Sequence, residues 1–184
     1  MHPLVQKLAA DKKLLNAVFF GLKVILVYLL WKTLLCFFNI EGTALNRFWL
    51  AFTDWFAYKT IQPAALFLRH ILGYQLEFNQ RNILITNTPG LFLANHCLGV
   101  SVCVIFSGFI LAYKGKWQHK LWYIPLGIFC IYAINVVRLA GLGVVEKHYY
   151  EQFFVLAHTR VYLLMSYGMF FLLIVLWMNH LAKK

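Results

Sequence analysis

The chain has 184 residues, of which 62% are hydrophobic, 18% aromatic and only 12% charged; it is too apolar for an ordinary soluble domain and reads as an integral membrane protein. Its formal net charge of +11 does not point to nucleic acid, because the basic residues cluster in short segments between apolar runs, as topology signals do. The cysteines Cys36, Cys97, Cys103 and Cys130 include no CxxC pair and no His/Cys spacing suited to zinc, so neither a metal nor a cofactor is expected.

Lys7, Lys12 and Lys13 precede an apolar stretch at 14–38, about twice the length of a signal-peptide core and without a small-residue cleavage site. It is expected to stay attached as a spanning helix. Further apolar runs at 97–113, 121–145 and 158–179 are each near the ~20 residues a tilted membrane helix needs. Lys114, Lys116 and Lys120 lie between the second and third runs, and Lys183 and Lys184 follow the last. Together with the amino-terminal lysines, opposed only by Asp11, they mark the cytoplasmic side.

Parity then requires the region 39–96 to cross an even number of times. Its part at 48–72 is apolar but carries Asp54, Lys59, Gln62, Pro63, Arg69 and His70, which suggests an interfacial or re-entrant helical pair on the outer face. From Tyr74 the apolar period changes to two: Tyr74, Leu76 and Phe78 alternate, Asn79 to Asn82 supplies a turn, and Ile83 and Ile85 alternate again. A small outer-face β-hairpin is predicted there, broken by Thr88-Pro89-Gly90. The expected fold is an all-α polytopic membrane protein with about four transmembrane helices, outer-face interfacial or re-entrant helices, and that hairpin before Cys97. No repeat, low-complexity tract or linker divides the chain, so a single domain over 1–184 is expected.

Three reactive side chains fall at the outer ends of these runs. Cys97 opens one and His158 opens another; Arg138 lies roughly 26 Å along a helix begun at Leu121, near the far boundary of a ~30 Å hydrocarbon layer. At a helix start, unpaired amides and the helix dipole favour the nucleophilic form of a thiol. The bland reading of Cys97 is a small apolar filler, and a disulfide with Cys36 is a second alternative. Cys103 lies about 240° around the helix from Cys97 and cannot form a redox pair with it.

An arginine in an apolar span must snorkel or find a partner, and Asn135, three residues earlier, is placed to hold the Arg138 guanidinium. A fixed guanidinium near a thiolate could stabilise an oxyanion. Imidazole is the usual proton carrier near neutral pH, which gives His158 an acid/base role, with His96 and His148 as rivals. Arg160 more simply marks the interface.

Cys97-Leu98-Gly99, Asn135-Val136-Val137-Arg138 and His158, in this order and placement, resemble the exosortase/archaeosortase family of membrane cysteine transpeptidases. The resemblance covers roughly 77–177 and is closest to compact bacterial members of the Bacteroidota type. One departure is Leu98, where the family commonly has Ser after the cysteine. The resemblance implies that Cys97 is the nucleophile, Arg138 the oxyanion or thiolate stabiliser and His158 the acid/base, with Asn135 and Gly99 in support. It also implies cleavage, through a thioacyl intermediate, of a carboxy-terminal sorting tag containing a membrane helix. The partners would then be exported substrate proteins, membrane lipid and a lipid-linked acceptor, with no nucleic acid. The enzyme would be a multi-pass protein of the bacterial cytoplasmic membrane, its site facing the periplasm or exterior. Two other readings compete: a non-catalytic scaffold for surface-polysaccharide or secretion machinery, and a His-dependent membrane acyltransferase.

Overall fold

A computed structural model of the chain describes residues 3–149 and 162–181. The elements in chain order are α1 (Pro3–Phe38), α2 (Ala44–His70), β1 (Leu76–Phe78), β2 (Asn82–Ile85), β3 (Leu91–Phe92), α3 (Val100–Ala112), α4 (Trp117–His148) and α5 (Tyr162–Leu176). A 3-10 turn, Asn95–Cys97, links β3 to α3, and a π-helical turn, Trp177–Leu181, follows α5. Two helical stretches, Val18–Phe38 and Trp117–His148, are long and apolar enough to cross a bilayer, whereas Val100–Ala112 and Leu164–His180 are shorter apolar helices. Among the described residues, two of the four expected spans reach that full length. The run at 97–113 loses its first residues to the turn at Cys97 and to Gly99, leaving 13 helical residues, or about 20 Å against a ~30 Å hydrocarbon layer.

The second correction concerns the region 48–72, which forms one continuous helix of 27 residues rather than an interfacial or re-entrant pair. Thr43 starts it: its hydroxyl accepts from the Asn46 N–H at 3.0 Å, satisfying one of the orphan donors of the first turn. Trp49, Thr53, Ala57, Thr60, Ile61, Ala64 and Leu68 recur at three- and four-residue intervals and are buried along one face. Pro63 lies inside this helix and has no N–H for the Lys59 carbonyl. The Tyr132 hydroxyl of α4 donates to that carbonyl at 2.6 Å, so the helix passes the proline with the freed acceptor satisfied. Two of the charged residues that argued against a continuous helix are themselves engaged. Asp54 pairs with Arg81 and Arg69 donates to the Leu76 carbonyl, both towards the sheet.

The predicted hairpin gains a third strand. The order is β1-β2-β3, antiparallel throughout, with Leu76 opposite Ile85 and Ile83 opposite Leu91. Its inward side chains Leu76, Ile83, Ile85 and Leu91 meet Ile61, Ala65 and Leu68 of α2 and Leu139 and Leu142 of α4 in one buried cluster, which also contains Cys97 and Leu98. A second cluster joins α3, α4 and α5 around Phe106, Ile110, Tyr123, Leu173 and Trp177. A third holds α1 to α2 through Trp31, Phe38 and Trp49, and the Trp31 indole donates to Ser101 Oγ of α3 at 3.1 Å. At the end of α3 remote from the sheet, Lys120 Nζ donates to the carbonyls of Leu111 at 2.9 Å and Tyr113 at 2.6 Å, closing the α3–α4 connection. The lysine-rich segment 114–120 and the sheet therefore lie at opposite ends of the bundle.

Candidate active site

Cys97 is carried by the 3-10 turn between β3 and α3 and is 8% exposed. Its own N–H donates to the Ala94 carbonyl at 2.9 Å, and the Leu98 N–H to that of Asn95. The α-helix proper begins after Gly99, its N-cap, so the thiol sits three residues ahead of the first helical residue, Val100, and not on the first turn. The expectation that Cys97 opens the helix is corrected accordingly.

Gly99 explains why the chain can turn there. Its φ of +75° lies in the left-handed region, and a Cβ at this position would collide with the side-chain nitrogen of Asn135. That nitrogen donates to the Leu98 carbonyl at 2.9 Å, with Asn135 only 6% exposed. The residues of the Cys-x-Gly and Asn-x-x-Arg patterns thus meet in space: Asn135 of α4 packs on Gly99 and bonds the intervening Leu98. This overturns the expectation that Asn135 holds the Arg138 guanidinium. Its amide is committed to the backbone that carries the cysteine.

Arg138, one turn further along α4, is half-buried and has no hydrogen bond or ion pair among the described residues. It lines a cavity of about 200 Å³ together with Cys97 and Asn135; the run Gly90–Leu93, Thr60, Leu139 and Leu142 complete the wall. A thiol and a free guanidinium therefore share one mostly apolar chamber beneath the sheet. His158 and Arg160 lie outside the described residues. Of the rival imidazoles, His96 is exposed, and His148 shares a hydrogen bond of 2.6 Å with the Tyr74 hydroxyl. All four cysteines are free thiols, so Cys97 is not tied to Cys36.

Two polar clamps missed in the sequence fix this chamber. Arg81, at the β1–β2 turn, pairs through Nε with Asp54, and donates through Nη2 to Thr53 Oγ1 at 3.0 Å and through Nη1 to Asn95 Oδ1 at 2.9 Å. It thereby binds α2 to the turn that holds Cys97. At the other end of the sheet, three consecutive residues of α4 grip the strands. Glu146 Oε1 accepts from the Gly90 N–H at 2.7 Å, Lys147 donates to the Thr86 carbonyl at 2.8 Å, and His148 meets Tyr74. Only the polar run Asn79-Gln80-Arg81-Asn82 and the run Glu146-Lys147-His148 marked these positions in the sequence, and neither pattern names a partner.

A family model described as transmembrane exosortase (Exosortase_EpsH) matches residues 14–178, most of the chain. No curated protein and no solved structure matches it.

Proposed function

The chain belongs to the transmembrane exosortase family, and from that premise we propose that it is a membrane-embedded cysteine transpeptidase or peptidase acting on the carboxy-terminal sorting tags of exported proteins. The observation that carries this reading is the shared cavity of Cys97 and Arg138, two residues 41 positions apart, with no ligand of the guanidinium among the described residues. An unpaired, half-buried guanidinium in an apolar span is costly unless an anion or oxyanion comes to it.

In the proposed reaction the Cys97 thiolate attacks the scissile carbonyl carbon, and the carbonyl electrons move to an oxygen facing Arg138. The tetrahedral adduct collapses with cleavage of the C–N bond; the departing amine takes a proton from the His158 imidazolium, leaving a thioester on Cys97. His158 then removes a proton from the incoming amine, lipid-linked acceptor or water, which attacks the thioester and releases the thiolate. Asn135 and Gly99 act on the backbone that carries the nucleophile. The concentration of Lys114, Lys116 and Lys120 at the end remote from Cys97 supports a site facing the periplasm or exterior of a bacterial cytoplasmic membrane.

The test is the fate of tagged exported proteins in cells carrying Cys97→Ala, Arg138→Ala or His158→Ala. Accumulation of uncleaved precursors in all three, with normal enzyme levels in the membrane, is expected. Normal processing with Cys97→Ala would remove the thiol mechanism and favour the scaffold.

A further inference from the structure

We infer that the open edge of β3 is the docking rail for the substrate, whose extended backbone adds as a fourth strand beside Phe92 and is led from there to Cys97. The inference rests on the proposed peptide-cleaving function and specifies how the substrate is held.

Hydrogen-bonded pairs alternate along an antiparallel ladder. The Leu93 N–H donates to the Arg81 carbonyl at 2.8 Å, so the next bonded pair along β3 is Leu91 with Ile83. Phe92, opposite Asn82, therefore turns its N–H and C=O away from β2. The other side of β2 agrees: the Asn82 carbonyl accepts from Asn79 at 3.0 Å, and Thr86 donates to Gln75 at 3.0 Å, so Asn82 spends its backbone groups on β1.

The cavity lies along that open edge. Four consecutive residues, Gly90 to Leu93, line it. Successive side chains of a strand point to opposite faces, so an unbroken run can line one chamber only if the chamber runs along the backbone edge. Cys97 and Arg138 line the same chamber, five and 46 residues beyond Phe92.

Leu76 and Phe78 of β1 also turn backbone groups away from β2, but no β1 residue lines the cavity that holds Cys97, and some of the other edge groups are occupied. On β1, the Leu76 carbonyl accepts from Arg69; on β3, the Gly90 N–H is held by Glu146. Among the described residues, Phe92 is left with unpaired backbone groups and a side chain that is 65% exposed. An unpaired strand edge is a template for another chain, and backbone pairing suits an enzyme that accepts many proteins sharing little more than a tag. Such pairing would also keep the scissile segment out of a helix at the point where its amide must be reached.

The test uses acetyl-tetra-alanine vinyl sulfone and four versions of it, each with one backbone amide N-methylated. The protein is the full chain in lipid nanodiscs with Cys36, Cys103 and Cys130 replaced by Ser. Labelling forms a bond between Cys97 Sγ and the vinyl carbon β to the sulfone; the π electrons move to the carbon α to the sulfone, which takes a proton from water. Methylation of one particular amide is expected to slow labelling at least tenfold, while its neighbours on either side have little effect, because alternate amides face the strand. Phe92→Pro removes the edge N–H but keeps the Phe92 carbonyl that accepts from the substrate amide, so it should slow labelling by the unmethylated peptide while the methylation pattern persists; an unchanged unmethylated rate would count against the edge. Equal rates for all five peptides would overturn the edge, whatever their absolute value. That result leaves tag processing by Cys97 standing. Conversely, normal processing in Cys97→Ala cells with the methylation pattern intact would remove the reaction and leave the docking edge.

Discussion

Replacing Gly99 with alanine should damage the site through two separable terms. The left-handed backbone at Gly99, with φ of +75°, costs a residue bearing a Cβ about 1–2 kcal/mol. The new methyl also drives the Asn135 side chain off the Leu98 carbonyl, and losing this buried hydrogen bond costs about 1–2 kcal/mol more. Gly99→Ala should therefore lower the unfolding free energy by roughly 2–4 kcal/mol, and Asn135→Ala alone by roughly 1–2 kcal/mol. In the double variant the hydrogen bond can be lost only once, so the sum of the single effects should exceed the double effect by about 1–2 kcal/mol. Unfolding titrations with sodium dodecyl sulfate in mixed micelles give the three values, and the labelling rate of Cys97 by a small maleimide gives a parallel readout of the turn. Strictly additive losses would falsify the claim that Gly99 is small because Asn135 needs the space.

The clamp at Arg81 should be sensitive to geometry as well as charge: Arg81→Lys keeps the pairing charge for Asp54 but cannot reach Thr53 and Asn95 together, so thermal unfolding should show most of the loss seen with Arg81→Met, about 1–3 kcal/mol. Equal stability of Arg81→Lys and the parent would make the pair a simple surface contact. At the other end, Glu146→Gln retains a carbonyl acceptor for the Gly90 N–H and should leave hydrogen exchange at Gly90 close to the parent, whereas Glu146→Ala should speed it at least tenfold. Helix packing gives a matched pair: a Cβ at Gly127 would run into the Phe106 ring and should cost about 1–3 kcal/mol, while Gly168 has nothing within 4 Å and Gly168→Ala should be neutral or stabilising by up to about 1 kcal/mol. Tm measurements in detergent decide both, and a neutral Gly127→Ala would count against the packing of α3 on α4.

Much of the helical framework was legible because long apolar runs and their flanking lysines follow directly from the cost of exposing backbone and charge to lipid. Arg138 was legible for the same reason, since an arginine is costly in an apolar span, and Cys97 by its place at the start of an apolar run. The continuity of α2 was hidden, because Pro63, Asp54 and Arg69 look like interruptions until Tyr132, Arg81 and the Leu76 carbonyl are found opposite them. Those partners come from distant segments, and local patterning carries no information about them. The role of Asn135 was misjudged on similar grounds. Helical spacing put it beside Arg138, but a buried amide follows the nearest unsatisfied carbonyl, which belonged to Leu98. The third strand was missed because two residues after Pro89-Gly90 show no alternation to read.

The placement of Cys97 ahead of its helix has a physical logic that a thiol on the first helical turn would lack. A nucleophile that is to meet a peptide backbone, as proposed for Cys97, needs open space along one side and fixed walls on the others. Helix packing alone gives side chains close neighbours all round, as Phe106 and Trp177 illustrate in the second cluster. Moving the cysteine into a short turn between β3 and α3 brings a strand edge into the same chamber as an α4 arginine. The turn is then held by contacts that do not involve the thiol: Asn135 on Leu98, and Arg81 on Asn95. The sheet is gripped at Thr86, Gly90 and Tyr74 by α4, the helix that also carries Arg138. Any shift of α4 therefore moves the guanidinium, the strand edge and, through Asn135, the cysteine turn together, while Arg81 ties that turn to α2.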